Sequence, residues 1–508
     1  MPIDTPTTRT AVPPDAPAAF PDSRSVTGRS GTGVGPARFA LTRGGSLSAA
    51  CGAVFAFLGF LMGSARLGDN SLLTHIATGR LLVQGKLGSL WNGTPDPYTY
   101  TGRGATWIVQ SWLASALYGV VDAVGGGAAL RVSFGLTTAL LVWLVWKLAA
   151  GAQSFTVRVA VCGAVVAVGT TAWSPRPLLI GLVLMAVVML ALDARVDPRW
   201  LVPAMWVWVN AHGSFPLATV VVAAALVGRR LDGEDAALEK RVLRFTVIGT
   251  VLGGLLNPVG PKLLLFPLSL LRRSDVLRSV VEWRSPDFSL FWTRIFLLLI
   301  VGAIVGFVRR PSYRMALPTV LVVASSLLAA RNIAVALVVL VPALAHGIDG
   351  VGSIDGARRS PVFRAMPIVL VAAVVCLVGA SVNRPAYDLN MYPVTAVNWL
   401  DQRGLIARDV PLVHQDFVGN YLEFRYGTNA GVFFDDRFDM HSDALIARYR
   451  ALASGTNGWD KGLDDAAAVL WERNTPVESL LRLTSGWTIA WQDDDWFIAC
   501  HSTDARCA

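Results

Sequence analysis

The side chains in this sequence that could do chemistry stand mostly at the ends of apolar runs. Asp69 follows the first such run in G-D-N-S-L-L-T-H, and His75 lies within the next two turns. A carboxylate in that setting can take a proton from a hydroxyl, or it can cap the helix that begins after it. Arg176 in S-P-R-P and Arg331, beside Asn332, each end another run. A guanidinium fork matches phosphate oxygens, although long cations at such places also snorkel to lipid headgroups. Asn210 and His212 in W-V-N-A-H-G-S-F mark a break between two short apolar segments, and such breaks present helix ends to a ligand. A lone histidine there serves equally well as a structural residue.

Two further groups are of the same kind. Glu282 and Trp283 share a loop with Arg272, Arg273, Arg278 and Arg284. Glu282 there either pairs with one of these arginines or holds an acceptor hydroxyl, and so many cations imply a nearby anion. Asp435, Asp436, Arg437 and Asp439 follow a stretch read as a strand, where loops of α/β sheets hold ligands. The plain alternative is an Asp–Arg pair that fixes a turn.

The elements that must position these residues are membrane helices. The chain has 508 residues, 53% hydrophobic and only 16% charged, with mean hydropathy +0.51. That balance excludes an ordinary soluble domain and predicts a polytopic membrane protein. The formal net charge of +9 does not point to nucleic acid, because the arginines gather in short loops between apolar runs. Spanning segments are expected at 46–65, 129–148, 157–173, 178–192, 243–256, 291–308, 315–330, 333–345 and 362–381. The pair at 200–210 and 214–227 is short, the first only about 17 Å as a helix. It either crosses twice or forms a re-entrant hairpin.

Orientation follows from the basic clusters, which include Arg195 with Arg199, Arg229 with Arg230, and Arg358 with Arg359. All can face the cytoplasm only if residues 108–124 lie on the outer surface. About eleven crossings result, or about nine with the hairpin. Residues 1–45 are then a disordered cytoplasmic tail, 46–382 the membrane domain with its first outer loop at 66–128, and 383–508 an extracytoplasmic domain. Within that loop, Leu72, Leu73, Ile76, Leu81 and Leu82 recur at helical spacing and predict a helix lying along the membrane surface. Helices at 394–400, 442–453 and 477–483 alternate with strands at 410–413, 431–434 and 467–470 and a hairpin at 487–499, which makes the last region α/β. Cys500 and Cys507 can bridge in an oxidising compartment.

Several motifs together resemble a bacterial group of multi-pass proteins related to GT-C glycosyltransferases. They are D-N-S-L-L-T-H-I-A-T-G-R, D-P-Y-T-Y-T, S-P-R-P, W-V-N-A-H-G-S-F, L-N-P-V-G, V-E-W-R-S-P-D, R-N-I-A and V-F-F-D-D-R-F-D. The resemblance runs from about Ser46 nearly to the end. It implies a helical GT-C-like membrane fold that takes a sugar from a polyprenyl-phosphate-linked donor at the outer face of the cell membrane. The acceptor would be an envelope glycan, lipid or protein. It also implies an acidic residue in the first outward loop, by position Asp69; on the reading of the residues given above, His212 is a second catalytic group. Arg176, Arg331, Asn332 and Asn210 would bind the donor; Glu282, Trp283, His75, Asp435 and Arg437 would bind the acceptor.

GT-C enzymes commonly place a second carboxylate beside the first, but Asn70 stands there in this chain. A divalent cation usually needs at least two hard anions, so no metal or other cofactor is expected, and Asp69 is read as a general base. Two other roles stay open. A non-catalytic scaffold fits the loss of that carboxylate. A carrier or flippase for lipid-linked saccharides would be expected to carry inverted repeats, and none is visible.

Overall fold

The computed structural model describes residues 45–152, 154–273, 281–348 and 355–507. The expected tail, except Gly45, and Arg278 lie outside the described residues. The chain is mostly helical. After the two-residue strand β1 (Gly45–Ser46) comes α1 (Leu47–Gly63), started by Ser46, whose hydroxyl accepts the Ala49 N–H. Gly59 and Gly63 lie one turn apart and press α1 onto the second half of α3 (Trp112–Leu148). A Cβ on Gly59 would stand 2.9 Å from the Thr138 carbonyl, and one on Gly63 would overlap Thr138 and the Phe134 carbonyl. Small residues are how helices approach closely where no hydrophobic effect drives them together.

At 37 residues α3 would be about 55 Å long if straight. It breaks instead at Gly125 and Gly126, the second with φ +58°, a conformation costly for any residue with a Cβ. The break falls between the apolar runs at 108–124 and 129–148. The first half packs on α2 (Asn70–Val83), where Gly79 meets Ser115 and Gly119 backbone to backbone.

Beyond α3 the helices run back and forth between the two ends of a bundle. They are α4 (Phe155–Ala172), α5 (Leu178–Leu192), α6 (Leu201–Ala211), α7 (Pro216–Leu231), α8 (Ala237–Leu255), α9 (Lys262–Arg272), α10 (Phe291–Arg309), α11 (Tyr313–Leu328), α12 (Ile333–Gly347) and α13 (Pro361–Ser381). Among the described residues, five stretches are long and apolar enough to cross a membrane: 112–151, α4, α10, 330–347 and α13. The helices α1, α5 and α11 are apolar but shorter. α12 is apolar all round and buried along almost its whole length, whereas α13 has no buried residue. One is the centre of the bundle and the other lies on its rim.

Backbone contacts tie α1 to α13 at both ends. Just before they start, β1 pairs with β4 (Arg359–Ser360); just after they end, Leu67 pairs with Tyr387. The two helices therefore run the same way, and the segment after α13 emerges at the end that carries the first loop. In that loop β2 (Thr94–Pro95) and β3 (Thr106–Trp107) form a small hairpin.

Residues 383–507 carry four helices, α14 (Val394–Gln402), α15 (Asp416–Tyr426), α16 (Asp443–Ser454) and α17 (Pro476–Leu483). The strands β5 (Leu412–His414), β6 (Ala468–Glu472), β7 (Trp487–Gln492) and β8 (Trp496–His501) make one mixed sheet in the order β5-β6-β8-β7, with only β5 and β6 parallel. Cys500 and Cys507 are bonded to each other.

Three sequence expectations are corrected here. The strand expected at 431–434 does not join the sheet; Val432 bridges Thr99 of the first loop instead, with the Tyr100 N–H donating to its carbonyl at 2.9 Å. α2 does not turn its apolar face to lipid. It is walled between α3 and α15, which buries Leu72, Leu73, Ile76 and Leu81 together with Thr74 and Thr78. α9 and α15 were not anticipated. α15 buries Asn420 and Glu423 beside Val418 and Leu422, so its sequence shows no polar face.

The glycine contact between α1 and α3 gives a direct test. Gly63→Leu should lower stability by about 1–3 kcal/mol through overpacking, read as a lower thermal midpoint in detergent. Gly379→Leu on α13, where a Cβ would meet nothing, should leave it unchanged.

Candidate active site

A cavity of about 580 Å³ opens where the first loop, the bundle ends and residues 383–507 meet. Its walls are held by charge. Arg437 reaches from the C-terminal region into the first loop, with Nη1 2.9 Å from Asp96 and Nη2 2.6 Å from Asp435 and 3.4 Å from Glu423. Its guanidinium lies over the rings of Tyr98 and Trp107. Asp96 in turn accepts the N–H groups of Tyr98 and Thr99 at 3.2 and 3.0 Å, so the D-P-Y-T motif is a turn built to present a carboxylate to Arg437. Burial and Asp435 push the Glu423 carboxyl well above its usual range. Burial opposes ionisation of Asp435 too, but Arg437 and His441 hold it well below.

Asp69 has two partners. Oδ1 caps α2 by accepting the Leu72 N–H at 3.3 Å, and Oδ2 accepts Arg176 Nε at 2.8 Å. The same guanidinium meets Glu282 with Nη1 and Nη2, both at 2.9 Å. Asp69 is nearly buried, while the following Asn70 and Ser71 line the cavity. Glu282 thus pairs with Arg176. Within the loop of Glu282, Arg273 is anchored by the carbonyls of Phe438, Asp439 and His441 and by the Asp443 carboxylate.

Arg331 differs from Arg176. Its guanidinium lies flat on Trp283, 4.5 Å from the ring centroid, and it lines the cavity with no hydrogen bond or ion pair among the described residues. His212 also lines the cavity. Its Nδ1 accepts the Ser214 N–H at 3.2 Å, so the neutral ring carries its proton on Nε2 and offers a donor. His75 Nδ1 bonds Ser115 Oγ at 2.9 Å; burial, with Arg176 nearby, pulls its pKa down to about 4 and keeps the ring neutral.

Two expected donor ligands sit elsewhere. Asn210 is fully buried and ties helices together, accepting Trp112 Nε1 at 2.8 Å and donating to the carbonyls of Trp206 and Gly253. Asn332 donates to the Ser325 carbonyl at 3.0 Å and fastens the turn before α12. Asp435 is fully buried beneath Arg437 and does not line the cavity. The polar side-chain atoms of Asn210 and Asp435 are engaged with protein or enclosed by it, whereas Asn332 is half-buried and, among the described residues, engages protein through its Nδ2 alone.

Sequence reasoning groups Asp436 with its neighbours but gives it no binding or catalytic role of its own. That residue lines the cavity while its neighbour Asp435 points into the core, as alternation along extended backbone requires. Its N–H donates to Asn420 Oδ1 at 3.2 Å, and Asn420 Nδ2 donates to the Asn70 carbonyl at 3.3 Å. Burial, then the charge of Asp435, raises the Asp436 pKa to about 7. Asp416 and Asp439, also raised by burial, line the same wall. Among the described residues no group of three His, Cys, Asp or Glu side chains is placed to share a metal ion.

The comparisons with known proteins bear on the fold. No family model and no curated protein matches the chain. One solved structure that resembles it is the archaeal oligosaccharyltransferase AglB from Archaeoglobus fulgidus, in complex with an inhibitory peptide and a dolichol-phosphate. The TM-score is 0.54 at 11% identity, over 84% of this chain and 69% of that one. Another is the arabinofuranosyltransferase AftD from Mycobacteria, with TM-score 0.45 and 13% identity, over 90% of this chain and 40% of that one. Both are GT-C fold glycosyltransferases, and the likeness to the first shows that this chain has the GT-C fold.

Removing Arg437 would leave Asp96 and Asp435 buried without their cation. Arg437→Met should therefore cost about 3–5 kcal/mol. Arg331→Met, which breaks no ion pair, should stay near the wild-type value in the same thermal unfolding series.

Proposed function

We propose that the protein is an integral-membrane glycosyltransferase. It moves a sugar from a polyprenyl-phosphate-linked donor to an envelope glycan, lipid or protein acceptor at the outer face of the cell membrane. The observation that carries this reading is a single cavity lined both by an unpaired arginine, Arg331, and by a carboxylate that exchanges its proton near neutrality, Asp436. The dolichol-phosphate bound by AglB supports a lipid phosphate as the ligand of the arginine.

Arg331, held flat by Trp283, binds the donor phosphate and stabilises charge on the leaving group. His212 donates Nε2–H to an oxygen of the donor, and His75 offers a neutral ring to the acceptor. The acceptor hydroxyl gives its proton to Asp436 as its oxygen attacks the anomeric carbon. The bond from that carbon to the phosphate oxygen breaks, and polyprenyl phosphate departs.

The general base expected at Asp69 moves to Asp436 in this reading, because both oxygens of Asp69 are already engaged. Arg176 likewise has its nitrogens on Asp69 and Glu282 and does not clamp a phosphate. The two carboxylates and Arg176 form a rigid strut beside the cavity.

The topology proposed with this function has about eleven crossings, the tail inside and residues 383–508 outside. Three observations favour it: the parallel run of α1 and α13, the bonded cysteines, and the basic contacts at the far end of the bundle. Those contacts include Arg158 on Ser48 and Arg314 on Glu239. The closed Asp69–Arg176–Glu282 strut favours a second reading, a non-catalytic scaffold with the same fold.

Profiles of envelope glycans and polyprenyl-phosphate sugars in cells separate the two. Asp436→Asn and Arg331→Ala should each accumulate donor and lose a glycan, with Asp436→Asn slowing transfer by about 10²–10⁴-fold. A wild-type profile in both variants would rule out the transferase and point to the scaffold or another non-catalytic role. A base must be deprotonated, so transfer in membranes should rise with pH through about 7, and Asp69→Asn should keep that rise.

Stability carries the opposite sign. A carboxyl raised to about 7 favours the fold below its unfolded pKa and loses that contribution as pH climbs through 7. Asp436→Asn should therefore raise the thermal midpoint at pH 8 relative to wild type, and much less at pH 4.

A further inference from the structure

A second cavity, of about 250 Å³, lies apart from the first, in the furrow between α1, α13 and the second half of α3. Its polar rim is Arg131 and Arg384, and its floor is aliphatic and aromatic, with Phe60, Leu61, Leu377 and Val378. Arg66 stands close enough for its charge to act on Arg131, as does that of Arg384. Among the described residues none of these three arginines forms an ion pair. Of the acidic side chains in this neighbourhood, Asp122 is paired with Arg80 at 2.7 Å, while Asp388 accepts the Asn390 N–H at 3.3 Å and forms no ion pair among the described residues.

Like charges brought together in this way repel unless an anion lies between them. The ends of α1 and α13 supply some compensation, since Arg131 Nε donates to the Ser64 carbonyl at 2.9 Å. Two helix C-termini contribute roughly half a negative charge each. Three guanidinium groups against that, with the Asp388 carboxylate also counted, leave about one positive charge without a counter-charge. The floor of the furrow, meanwhile, faces lipid: Leu61 and Leu377 are exposed, and α13 packs chiefly on α1 with none of its residues buried.

We propose that this furrow is a binding site for one anionic phospholipid. The phosphodiester headgroup sits among Arg66, Arg131 and Arg384, and the acyl chains run down the groove between α1 and α13. The lipid completes the packing of α13 at the rim of the bundle. The site shares no residue with the cavity that holds Arg331 and Asp436, so it stands or falls independently of the transferase reading; it rests only on the membrane fold.

Native mass spectrometry of the full chain in detergent tests this. The chain is titrated separately with phosphatidylglycerol, phosphatidylcholine and inorganic phosphate. The expected result is one phosphatidylglycerol per chain, retained well above phosphatidylcholine. Arg66→Gln with Arg384→Gln should weaken it by about tenfold or more. Both side chains are exposed and the pair leaves the Arg131–Ser64 bond in place, so folding is kept. A control pair, Arg199→Gln with Arg244→Gln at the other end of the bundle, should change nothing. Equal retention of the zwitterionic lipid, equal weakening by the control pair, or no weakening by the first pair overturns the proposal. So does stoichiometric binding of inorganic phosphate without the lipid.

Discussion

One buried cation organises the functional end of this molecule. Arg437 belongs to the C-terminal region, yet it lies between Asp96, Tyr98 and Trp107 of the first loop on one side and Asp435 and Glu423 on the other. A guanidinium taken out of water is costly unless its donors are met, and here carboxylates and aromatic faces meet them. That requirement locks two segments more than three hundred residues apart into one wall. The cavity exists because they cannot separate without stranding charge.

Within that frame, pairing decides which groups remain able to react. Arg176 and Arg331 look alike in sequence, each a lone arginine at the end of an apolar run. The first is closed by two carboxylates, whereas the second lies on the face of an indole and, among the described residues, forms no ion pair. The adjacent Asp435 and Asp436 divide in the same way. One is sunk beneath Arg437, and the other is left at the cavity with its proton held more tightly by burial and by its neighbour. A cation free to meet phosphate and an acid poised near neutrality are what survives once the structural pairs are taken out.

Much of the framework could be read in advance. The apolar runs place most of the bundle helices within a few residues, and the glycine pair that breaks α3 falls in the gap between two of those runs. The reason is that bilayer length and apolar composition are local properties of a segment. α15 escaped notice because a helix buried on all sides, with Asn420 and Glu423 among its apolar residues, leaves no periodic trace. The stretch at 431–434 was misplaced because its extended backbone pairs with the first loop, a partner far away in the chain.

The sequence by itself determined a membrane protein of many helices and a short set of polar residues at the ends of its apolar runs. It could not determine which of those residues were already engaged. Asn210 bonds within the bundle, Asn332 donates to the Ser325 carbonyl, Asp69 is a cap and an ion-pair partner, and Asp436 lines the cavity. Hydrogen-bond and charge partners are chosen among neighbours brought together only by tertiary packing. Residue type sets what a side chain can do, and its three-dimensional neighbours set what it is left free to do.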